Sequence, residues 1–423
     1  MPKILSMVLA GRRVEEFGVL TLTRPKAAVP FGGMYRIIDF AMSNIMHSGI
    51  DQAGIVTQYR PSSLIDHVSV GAPWDFLGRT KSVRILSPHT GKEDSDWYKG
   101  TADAIYQNLD YIQRYNPKIV LIVSGDHIYK MDYRPFIRYH LEKKADLTIA
   151  LKPVPIREAI QYGVANLDKE GRVVLYEEKP EKPHSRLASM TVYVFNCDAL
   201  IGRLKENLKY GKDHHLYSEI LPLMVQKDRV FGYIFNGYWA YARKIEMYYR
   251  ANMDLIENPD QINLLDWQVR TNLDLYNVKN APPAFFAPSS KVNRSIVSAG
   301  CVIEGEVENS ILSPFVRIAK GAKVRNSILM HHDVVGERVE LNEVVADKRV
   351  TIGQGAKIGI NQTKRPNLWF PDFLSCGITV IGKNASIPPT MAIGKNCIIY
   401  PGVGKDVVPD RLESGECVLP NNS

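Results

Sequence analysis

The sequence predicts an α/β domain with a mostly parallel sheet, followed by a parallel β-helix. In the first 257 residues, short apolar runs alternate with longer mixed segments, which is the pattern of strands and helices laid down in turn. From residue 288 onwards, aliphatic residues recur about every five or six positions, often beside glycine, and this hexapeptide spacing is typical of a parallel β-helix. The 423 residues suffice for two or three domains, because single cores rarely grow beyond about 250 residues.

The α/β domain is predicted from two buried strands and the segment between them. Residues 4–11 form a nearly continuous apolar run that ends in Gly11, and residues 119–123 form a second run, as expected for strands covered on both faces. Residues 102–115 carry apolar side chains near helical spacing and are predicted to supply crossover helices. In such sheets ligands bind beyond the carboxyl ends of the strands, so the residues that follow each run are the first candidates for a site.

The β-helix is predicted from a series of regularly spaced aliphatic residues. They are Val292, Ile296, Val302, Val307, Ile311, Val316, Ile318, Val324 and Ile328. A β-sandwich with loose alternation is the alternative interpretation. Residues 258–287, which contain several prolines, are predicted to be a linker. The predicted domains are therefore residues 1–257 and 288–423.

Composition limits the classes of partner. Lys and Arg number 53 against 45 Asp and Glu, a net charge of +8, which favours anionic ligands. The basic residues are scattered and form no nucleic-acid-binding motif, so phosphorylated small molecules are favoured and no nucleic-acid partner is expected. There is no apolar run of ~18 residues and no signal sequence, so we expect a cytoplasmic protein without a membrane partner.

Neither the cysteines nor the histidines indicate a metal site. The five cysteines form no Cys-x-x-Cys pair, which favours reduced thiols over a disulfide framework or zinc. The histidine pairs at 214–215 and 331–332 are adjacent rather than three or four residues apart, so a helical metal site is not indicated. We expect both pairs at the surface.

Three places after the apolar runs could carry chemistry. Lys26 supplies a cation for phosphate, but Gly11 is the only glycine beside the first strand. The segment is therefore a poor match to a glycine-rich phosphate-binding loop. Asp126 follows the second buried strand and is a candidate Mg²⁺ ligand, although a lone Asp there is more often a turn residue. Glu178 and Lys179 lie between apolar segments and could bind a sugar hydroxyl and a phosphate, or form a solvated hairpin loop.

Taken together, several motifs resemble those of the ADP-glucose pyrophosphorylases, the glucose-1-phosphate adenylyltransferases of bacterial glycogen synthesis. The resemblance extends over essentially the whole chain. It is carried by PFGG (30–33), YRIIDF (35–40), SN (43–44), SGI (48–50), TQYR (57–60), SDWYKGTADA (95–104), QN (107–108), SGDHIY (124–129), EKP (178–180) and LASM (187–190).

The resemblance implies a nucleotidyltransferase domain followed by a left-handed β-helix, in a tetramer regulated by phosphorylated metabolites. It implies glucose 1-phosphate and ATP or ADP-glucose as ligands. By matching positions, glucose 1-phosphate would contact Tyr98, Gly163, Glu178, Lys179 and Ser189, and the nucleotide would lie over Leu9, Ala10 and Gly11 and near Gln107. If the chain is active, Lys26 and Asp126 would be catalytic; Gln58 and Trp97 match positions that relay effector binding.

The chain departs from the family at two places that bear on catalysis. Family members continue Leu-Ala-Gly with a second Gly and then Arg-Gly-Thr-Arg-Leu, whereas this chain continues with Arg12 and Arg13. Glu16 stands at the position where the family has an Arg that should neutralise the leaving pyrophosphate. The family Asp that shares Mg²⁺ with the position of Asp126 is replaced by Tyr241, so we expect the Mg²⁺ site to be weakened or absent. Smaller departures are Met34, Thr191 and Ser218.

These departures lead to two hypotheses. In the first, the chain is a regulatory or weakly active subunit that forms a tetramer, either alone or with an active paralogous subunit. The alternative is a fully active glucose-1-phosphate adenylyltransferase, in which Arg12 or Arg13 serves the triphosphate and Glu246 takes the second metal position. A sensor or acyltransferase function of the β-helix lacks support, because that half contains no histidine other than His331 and His332.

Overall fold

The computed structural model describes residues 2–11, 14–88, 97–360, 365–404, 406, 409 and 411–420. The chain divides into two compact units. Unit 1 comprises residues 1–12, 38–61 and 68–239, and unit 2 comprises residues 13–37, 62–67 and 240–423. Residues 240–257, which the sequence analysis assigns to the first domain, thus group with the β-helix. In the described residues no helix is long and apolar enough to cross a membrane.

Unit 1 is built on a nine-stranded mixed sheet. Its strands are β1 (Ile4–Leu9), β2 (Gln52–Val56), β3 (Ser82–Leu86), β4 (Ile119–Ser124), β5 (Leu147–Pro153), β6 (Gly163–Leu167), β7 (Val173–Glu178), β8 (Leu187–Asn196) and β9 (Val230–Ile234). The main strand order is β7-β6-β8-β4-β1-β2-β3, and β5 pairs with both β8 and β9. The strand pairs β1–β2, β1–β4, β2–β3 and β5–β9 are parallel, whereas β8 is antiparallel to its neighbours.

The helices and turns complete the secondary structure. The α-helices are α1 (Ile38–His47), α2 (Ser62–Val68), α3 (Thr101–Tyr106), α4 (Leu109–Tyr115), α5 (Tyr133–Glu142), α6 (Ile156–Ala159), α7 (Cys197–Tyr210), α8 (Leu221–Lys227), α9 (Ile245–Glu257) and α10 (Leu264–Trp267). There are 3-10 turns at Glu15–Thr21, Lys26–Ala28, Ala72–Trp74 and Leu275–Asn280, and a π turn at Leu216–Ile220. Short strands lie at Pro30–Phe31, Tyr35–Arg36, Ile128–Tyr129 and Trp239–Ala240.

The two strands predicted from continuous apolar runs are present as β1 and β4. Every residue of β4 is buried, which agrees with a strand covered on both faces. The helical segment predicted over 102–115 is divided into α3 and α4. Asn108 stands at the break, where its side-chain amide donates to Ala104 O (2.8 Å) and to Tyr98 Oη (3.0 Å).

The C-terminal residues of unit 2 form the predicted left-handed parallel β-helix, made of three parallel sheets. The first sheet contains Phe285–Phe286, Val302–Ile303, Arg317–Ile318, Val334–Val335, Thr351–Ile352 and Ser386–Ile387. The second contains Lys291–Asn293, Glu306–Glu308, Lys323–Arg325, Glu340–Asn342, Lys357–Ile358, Ala392–Ile393 and Arg411–Leu412. The third contains Ile296–Val297, Ile311–Leu312, Ile328–Leu329, Val344–Ala346, Thr379–Ile381, Ile398–Ile399 and Cys417–Val418.

Aliphatic residues fill the interior of the β-helix one coil above the next. Ile303 pairs in register with Ile318, which pairs with Val335 and then Ile352, and each is at most 2% exposed. This stack buries apolar surface that no single coil could bury alone, which is why the repeat must be continued over many coils. The first strand, Phe285–Phe286, and α10 both lie within the predicted linker segment 258–287.

Candidate functional site

Three strands of unit 1 gather most of the predicted glucose 1-phosphate residues. Glu178 ends β7 and pairs with Gly163, the first residue of β6. Only glycine fits at position 163, because a Cβ there would lie 2.0 Å from Tyr176 Oη. That hydroxyl donates to Glu178 Oε2 at 3.3 Å. The neighbouring strand β8 carries Ser189, whose Oγ lies 3.3 Å from Tyr193 Oη.

Lys179 is placed to meet an anion beside these strands. Its Nζ is 3.8 Å from Glu178 Oε1, and its side chain is 47% exposed. Its backbone has φ +48°, a conformation that favours glycine. The geometry therefore presents a cation next to a carboxylate and several hydroxyls, which is a donor and acceptor set that suits a sugar phosphate.

Tyr98 is held by a different set of contacts. Its backbone N donates to Gln58 Oε1 at 2.8 Å, and its Oη accepts from the Asn108 amide. Burial raises the pKa of Tyr98, so the phenol remains protonated at neutral pH. Gln58, one of the two predicted relay residues, is thus in direct contact with a predicted substrate residue, whereas Trp97, the other, is 67% exposed.

The predicted nucleotide residues Leu9, Ala10 and Gly11 lie at the carboxyl end of β1. Gly11 approaches the residues that follow β2 so closely that a Cβ would lie 2.6 Å from Gln58 N. Gln107 donates from Nε2 to Asp103 Oδ2 at 2.9 Å. Arg12 and Arg13, which replace the family's glycine loop, lie outside the described residues, as do Ser95 and Asp96.

Asp126 follows β4 and is held by neighbours that the sequence analysis missed. Ser124 Oγ donates to Asp126 Oδ1, and His127 Nε2 lies 3.5 Å from the same oxygen. Trp239 Nε1 donates to His127 Nδ1 at 3.2 Å, which assigns the His127 proton to Nε2, facing the carboxylate. The only feature of the sequence that could have indicated these contacts is that Ser124 and His127 lie close to Asp126 along the chain.

The donor set does not fit a magnesium site with two protein carboxylates. The described residues contain no group of three or more His, Cys, Asp or Glu side chains that could hold a metal ion. Asp126 is engaged with Ser124 and His127, and position 241 carries a phenol. A single carboxylate would leave a magnesium ion dependent on the nucleotide phosphates for its other ligands.

In unit 2, aromatic rings enclose Lys26. Its Nζ lies 4.3 Å from the centroid of the Tyr241 ring and 5.3 Å from that of Phe17. Lys26 is 1% exposed and Phe17 is fully buried. Aromatic faces attract an ammonium group, and the attraction grows when water is excluded. Tyr241, the residue that stands in place of a carboxylate, therefore binds the lysine that the resemblance makes catalytic.

Glu16 also has an internal partner in unit 2. Arg243 Nε and Nη2 both lie 3.3 Å from Glu16 Oε1. Glu246, the acid considered for a second metal ligand, pairs with Arg250 at 2.5 Å. Both acidic side chains are thus neutralised by arginines of the same unit.

Known proteins resemble this chain over nearly its whole length. The family model described as nucleotidyl transferase matches residues 5–258, and that described as GlmU-like, C-terminal hexapeptide, matches residues 282–371. A glucose-1-phosphate adenylyltransferase of Acetivibrio thermocellus is 39% identical, covering 99% of this chain and 98% of the relative. Proteins of the same name from Thermomicrobium roseum and Thermotoga neapolitana are 42% and 41% identical, covering 99% of this chain and 98% and 99% of their own lengths.

The chain belongs to the glucose-1-phosphate adenylyltransferase family.

This glucose-1-phosphate adenylyltransferase family member also has a basic cavity within unit 2. The cavity has a volume of about 320 Å³. It is lined by Thr23, Arg24, Arg36, Ser62, Ser63, Asp66, Leu275, Lys348 and Lys383. Four of these side chains are basic and one is acidic, so the lining carries a positive charge. We call this feature the basic cavity.

Several charges around the basic cavity are buried. Arg24 pairs with Asp347 at 2.7 Å, and Arg36 Nη1 donates to Ser63 O at 2.6 Å. Lys348 is 3% exposed, and burial, followed by repulsion from Arg36 and Arg24, lowers the pKa of Lys348.

The prediction that both histidine pairs lie at the surface is wrong for His331, which is 6% exposed. Burial, together with Lys348 and Arg36, lowers its pKa. The sequence did not indicate the basic cavity, because its lining comes from separate segments of the chain that only the fold brings together.

Proposed function

We propose that this chain is a regulatory or weakly active subunit of a cytoplasmic, ADP-glucose-forming assembly in glycogen biosynthesis. The family reaction joins ATP and glucose 1-phosphate into ADP-glucose and pyrophosphate. In this proposal the chain keeps the sugar-phosphate half of the site and has a weakened or absent Mg²⁺ site. The observation that carries the proposal is the enclosure of Lys26 by Tyr241 and Phe17.

The charge balance explains why these changes matter for catalysis. Nucleotidyl transfer depends on positive groups that stabilise charge on the phosphates in the transition state. Lys26 lies buried beside the rings of Tyr241 and Phe17, and Glu16 contributes an anion that is paired with Arg243. Two unit charges about 4 Å apart interact by about 4 kcal/mol at an effective dielectric of 20, and each 1.4 kcal/mol of barrier is about tenfold in rate.

Turnover of the purified chain tests the proposal. We expect the chain alone to form ADP-glucose, with ATP, glucose 1-phosphate and Mg²⁺, at least about a hundredfold more slowly than an active paralogue, as expected for a loss of about 3 kcal/mol or more. Mixing the two should form a tetramer whose response to effectors differs from that of the active subunit alone. Turnover by the isolated chain at the rate of the active paralogue would refute the proposal and support the alternative of a fully active enzyme.

Variants at position 241 provide a matched control. Tyr241→Asp removes the ring over Lys26 and supplies a carboxylate, so we expect the turnover of the chain to rise at least about tenfold. Tyr241→Phe keeps a ring over Lys26 without a carboxylate and should leave turnover unchanged. A rise with Phe as large as with Asp would contradict the role assigned to the carboxylate.

We further propose that the basic cavity binds a phosphorylated effector. The support is its surplus of basic side chains and the lowered pKa of Lys348, which burial lowers first and which repulsion from Arg36 and Arg24 lowers further, against the attraction of Asp347. An anion that enters would offset this repulsion and restore the charged form of Lys348. The signal could then reach an active subunit through contacts in the assembly.

Phosphate-dependent stability tests the effector site. Inorganic phosphate should raise the melting temperature of the chain, because a ligand that binds only the folded state stabilises it. Lys348→Met should raise the melting temperature without phosphate, because it replaces a buried amine that the fold holds away from its favoured charged form, and it should at least halve the shift that phosphate causes. Lys357→Met, on an exposed face beside Glu340, is the control and should keep the full phosphate shift. An undiminished phosphate shift in Lys348→Met would exclude the cavity.

A further inference from the structure

The loop that follows β9 contains an Asn-Gly pair at residues 236 and 237, the only such pair in the sequence. Both residues are exposed and lie outside the regular strands and helices. Asparagine followed by glycine closes readily into a succinimide ring, because glycine has no side chain to hinder the attack of its backbone nitrogen on the asparagine side chain. The pair is therefore a candidate site of spontaneous covalent modification.

The pairing of β5 with β9 brings a lysine to this Asn-Gly pair. Leu151 of β5 is in register with Ile234, the last residue of β9. The next residue of β5, Lys152, donates from Nζ to Gly237 O at 2.7 Å and to Asn236 O at 3.3 Å. An ammonium group is thus held at the carbonyl oxygen of the peptide bond that would react.

The position of this ammonium group favours the reactive form of the peptide bond. Gly237 N attacks after it loses its proton, and the negative charge of the deprotonated amide is shared with Asn236 O. A cation 3.3 Å from that oxygen stabilises this charge, as donors do in an oxyanion hole. Within the described residues, neither Gly237 N nor the Asn236 side chain makes a hydrogen bond that would hold it away from the reaction.

The packing of the loop keeps glycine at position 237. A Cβ there would lie 2.5 Å from Phe235 Cζ, so a larger residue would displace the ring. Lys152 Nζ lies 5.8 Å from the centroid of the same ring. The fold therefore keeps the least hindered residue after Asn236 and a cation beside it.

We propose that Asn236 is a site of spontaneous deamidation that the Lys152 ammonium group promotes. Gly237 N, having lost its proton to water, bonds to Asn236 Cγ, and the bond from Cγ to Nδ2 breaks, so that Nδ2 leaves as ammonia with a proton taken from water. Water then opens the succinimide ring at one of its two carbonyls. Opening at Cγ gives aspartate and opening at the main-chain carbonyl gives isoaspartate, without oxidation or reduction.

Deamidation would change the loop that leads to Trp239. Trp239 Nε1 donates to His127 Nδ1 at 3.2 Å, and His127 lies beside Asp126. Aspartate adds a negative charge to this loop, and isoaspartate also adds a carbon to the main chain. Aged and fresh chains therefore differ close to a candidate catalytic residue, and this inference does not depend on the proposed function.

Peptide mass spectrometry of the full chain after incubation in mildly alkaline buffer tests the proposal. We expect the peptide that contains Asn236 to gain the mass difference between an amide and an acid, and enzymatic methylation of isoaspartate to label the same peptide. Lys152→Met should slow this conversion at least about threefold, because the variant lacks the charge that stabilises the deprotonated amide. Lys152→Arg keeps a cation and should retain most of the rate; melting curves check that both variants are folded.

Two controls separate the effect of the fold from that of the Asn-Gly motif. Asn280 is exposed, but the next amide, Ala281 N, donates to Val278 O at 3.1 Å, so conversion at Asn280 should be at least about tenfold slower than at Asn236. In urea, the unfolded parent and Lys152→Met chains should convert at equal rates, because Lys152 is no longer held at the loop.

Two results would overturn the proposal. Conversion at Asn236 no faster than at Asn280 would exclude the site. A folded Lys152→Met chain that converts as fast as the parent chain would exclude the promotion by the ammonium group. Both results leave the proposed function intact, since that is judged by turnover and phosphate binding.

Discussion

The carboxylate of Glu219 holds together the loop at residues 211–216. Its Oε1 accepts from the backbone N of Lys212 (2.6 Å) and of Asp213 (3.0 Å), and its Oε2 accepts from the Asn207 amide (2.7 Å). Burial acts to raise the pKa of Glu219, but these hydrogen bonds outweigh it and lower the pKa to about 2. The charged form is therefore the one that the fold stabilises.

This loop supports the start of α3. His214 O accepts from Ala102 N at 2.8 Å, and Thr101 Oγ1 accepts from Leu216 N at 2.9 Å. α3 leads to Asn108, which binds Tyr98. The loop that Glu219 holds is thus connected, through α3, to the asparagine that contacts a proposed substrate residue.

We predict that Glu219→Gln lowers the free energy of unfolding by about 1 to 2 kcal/mol at pH 7, because a neutral amide cannot satisfy the same donors. Since the folded pKa is below the unfolded value, this stability is present above about pH 4.5 and is lost as the pH falls towards 2. Urea unfolding at several pH values measures both effects. Glu181→Gln, at an exposed position, is the control; equal losses in the two variants would contradict the prediction.

At the scale of elements, the hydrophobic pattern of the sequence predicted the strands and coils whose formation depends on their own residues. The apolar runs at 4–11 and 119–123 became β1 and β4, because a strand buried on both faces has no polar positions to interrupt it. The five- to six-residue spacing became the β-helix, because each coil must place aliphatic residues inside. The break between α3 and α4 was not visible in the apolar spacing; the structure places Asn108 there, with its amide donating to Ala104 O and Tyr98 Oη.

The candidate site was predictable to a similar degree. Glu178 and Ser189 lie in matched motifs and Gly163 at a matched position, and the structure places the three on adjacent strands. The sequence showed that position 241 carries Tyr, but not that its ring covers Lys26, since the two residues are more than two hundred positions apart. The same limit applies to the backbone of Thr191, whose φ is +54°, because composition does not reveal a positive φ.

At the scale of the whole molecule, part of the excess of basic side chains lies at the two proposed anion sites. A net charge of +8 favours anions in general. The basic cavity concentrates part of that charge on buried side chains, and Lys179 presents another part at the sugar-phosphate residues. Each unit therefore carries its own proposed anion site, which suits a subunit that binds a sugar phosphate and responds to a phosphorylated effector.

Each unit also carries a buried histidine that acid should charge. His140 in unit 1 is 2% exposed, and its Nδ1 lies 2.8 Å from Thr148 Oγ1. Burial lowers the pKa of His140 to about 4, against some opposition from Asp146. In unit 2 burial lowers the pKa of His331 as well. Both side chains are therefore neutral in the folded chain and take up a proton when it unfolds in mild acid.

We predict that the free energy of unfolding falls as the pH drops from about 6.5, the pKa of an unfolded histidine, towards 4. The unfolded state binds more protons in this window, so each histidine contributes a slope of up to about 1.4 kcal/mol per pH unit. His140→Gln should reduce the slope of the unfolding free energy against pH by the contribution of about one proton. His184→Gln, in an exposed loop, should leave this slope unchanged. Urea titrations between pH 4.5 and 7 measure the slopes, and a slope in His140→Gln equal to that of the parent chain would show that His140 is not held neutral by the fold.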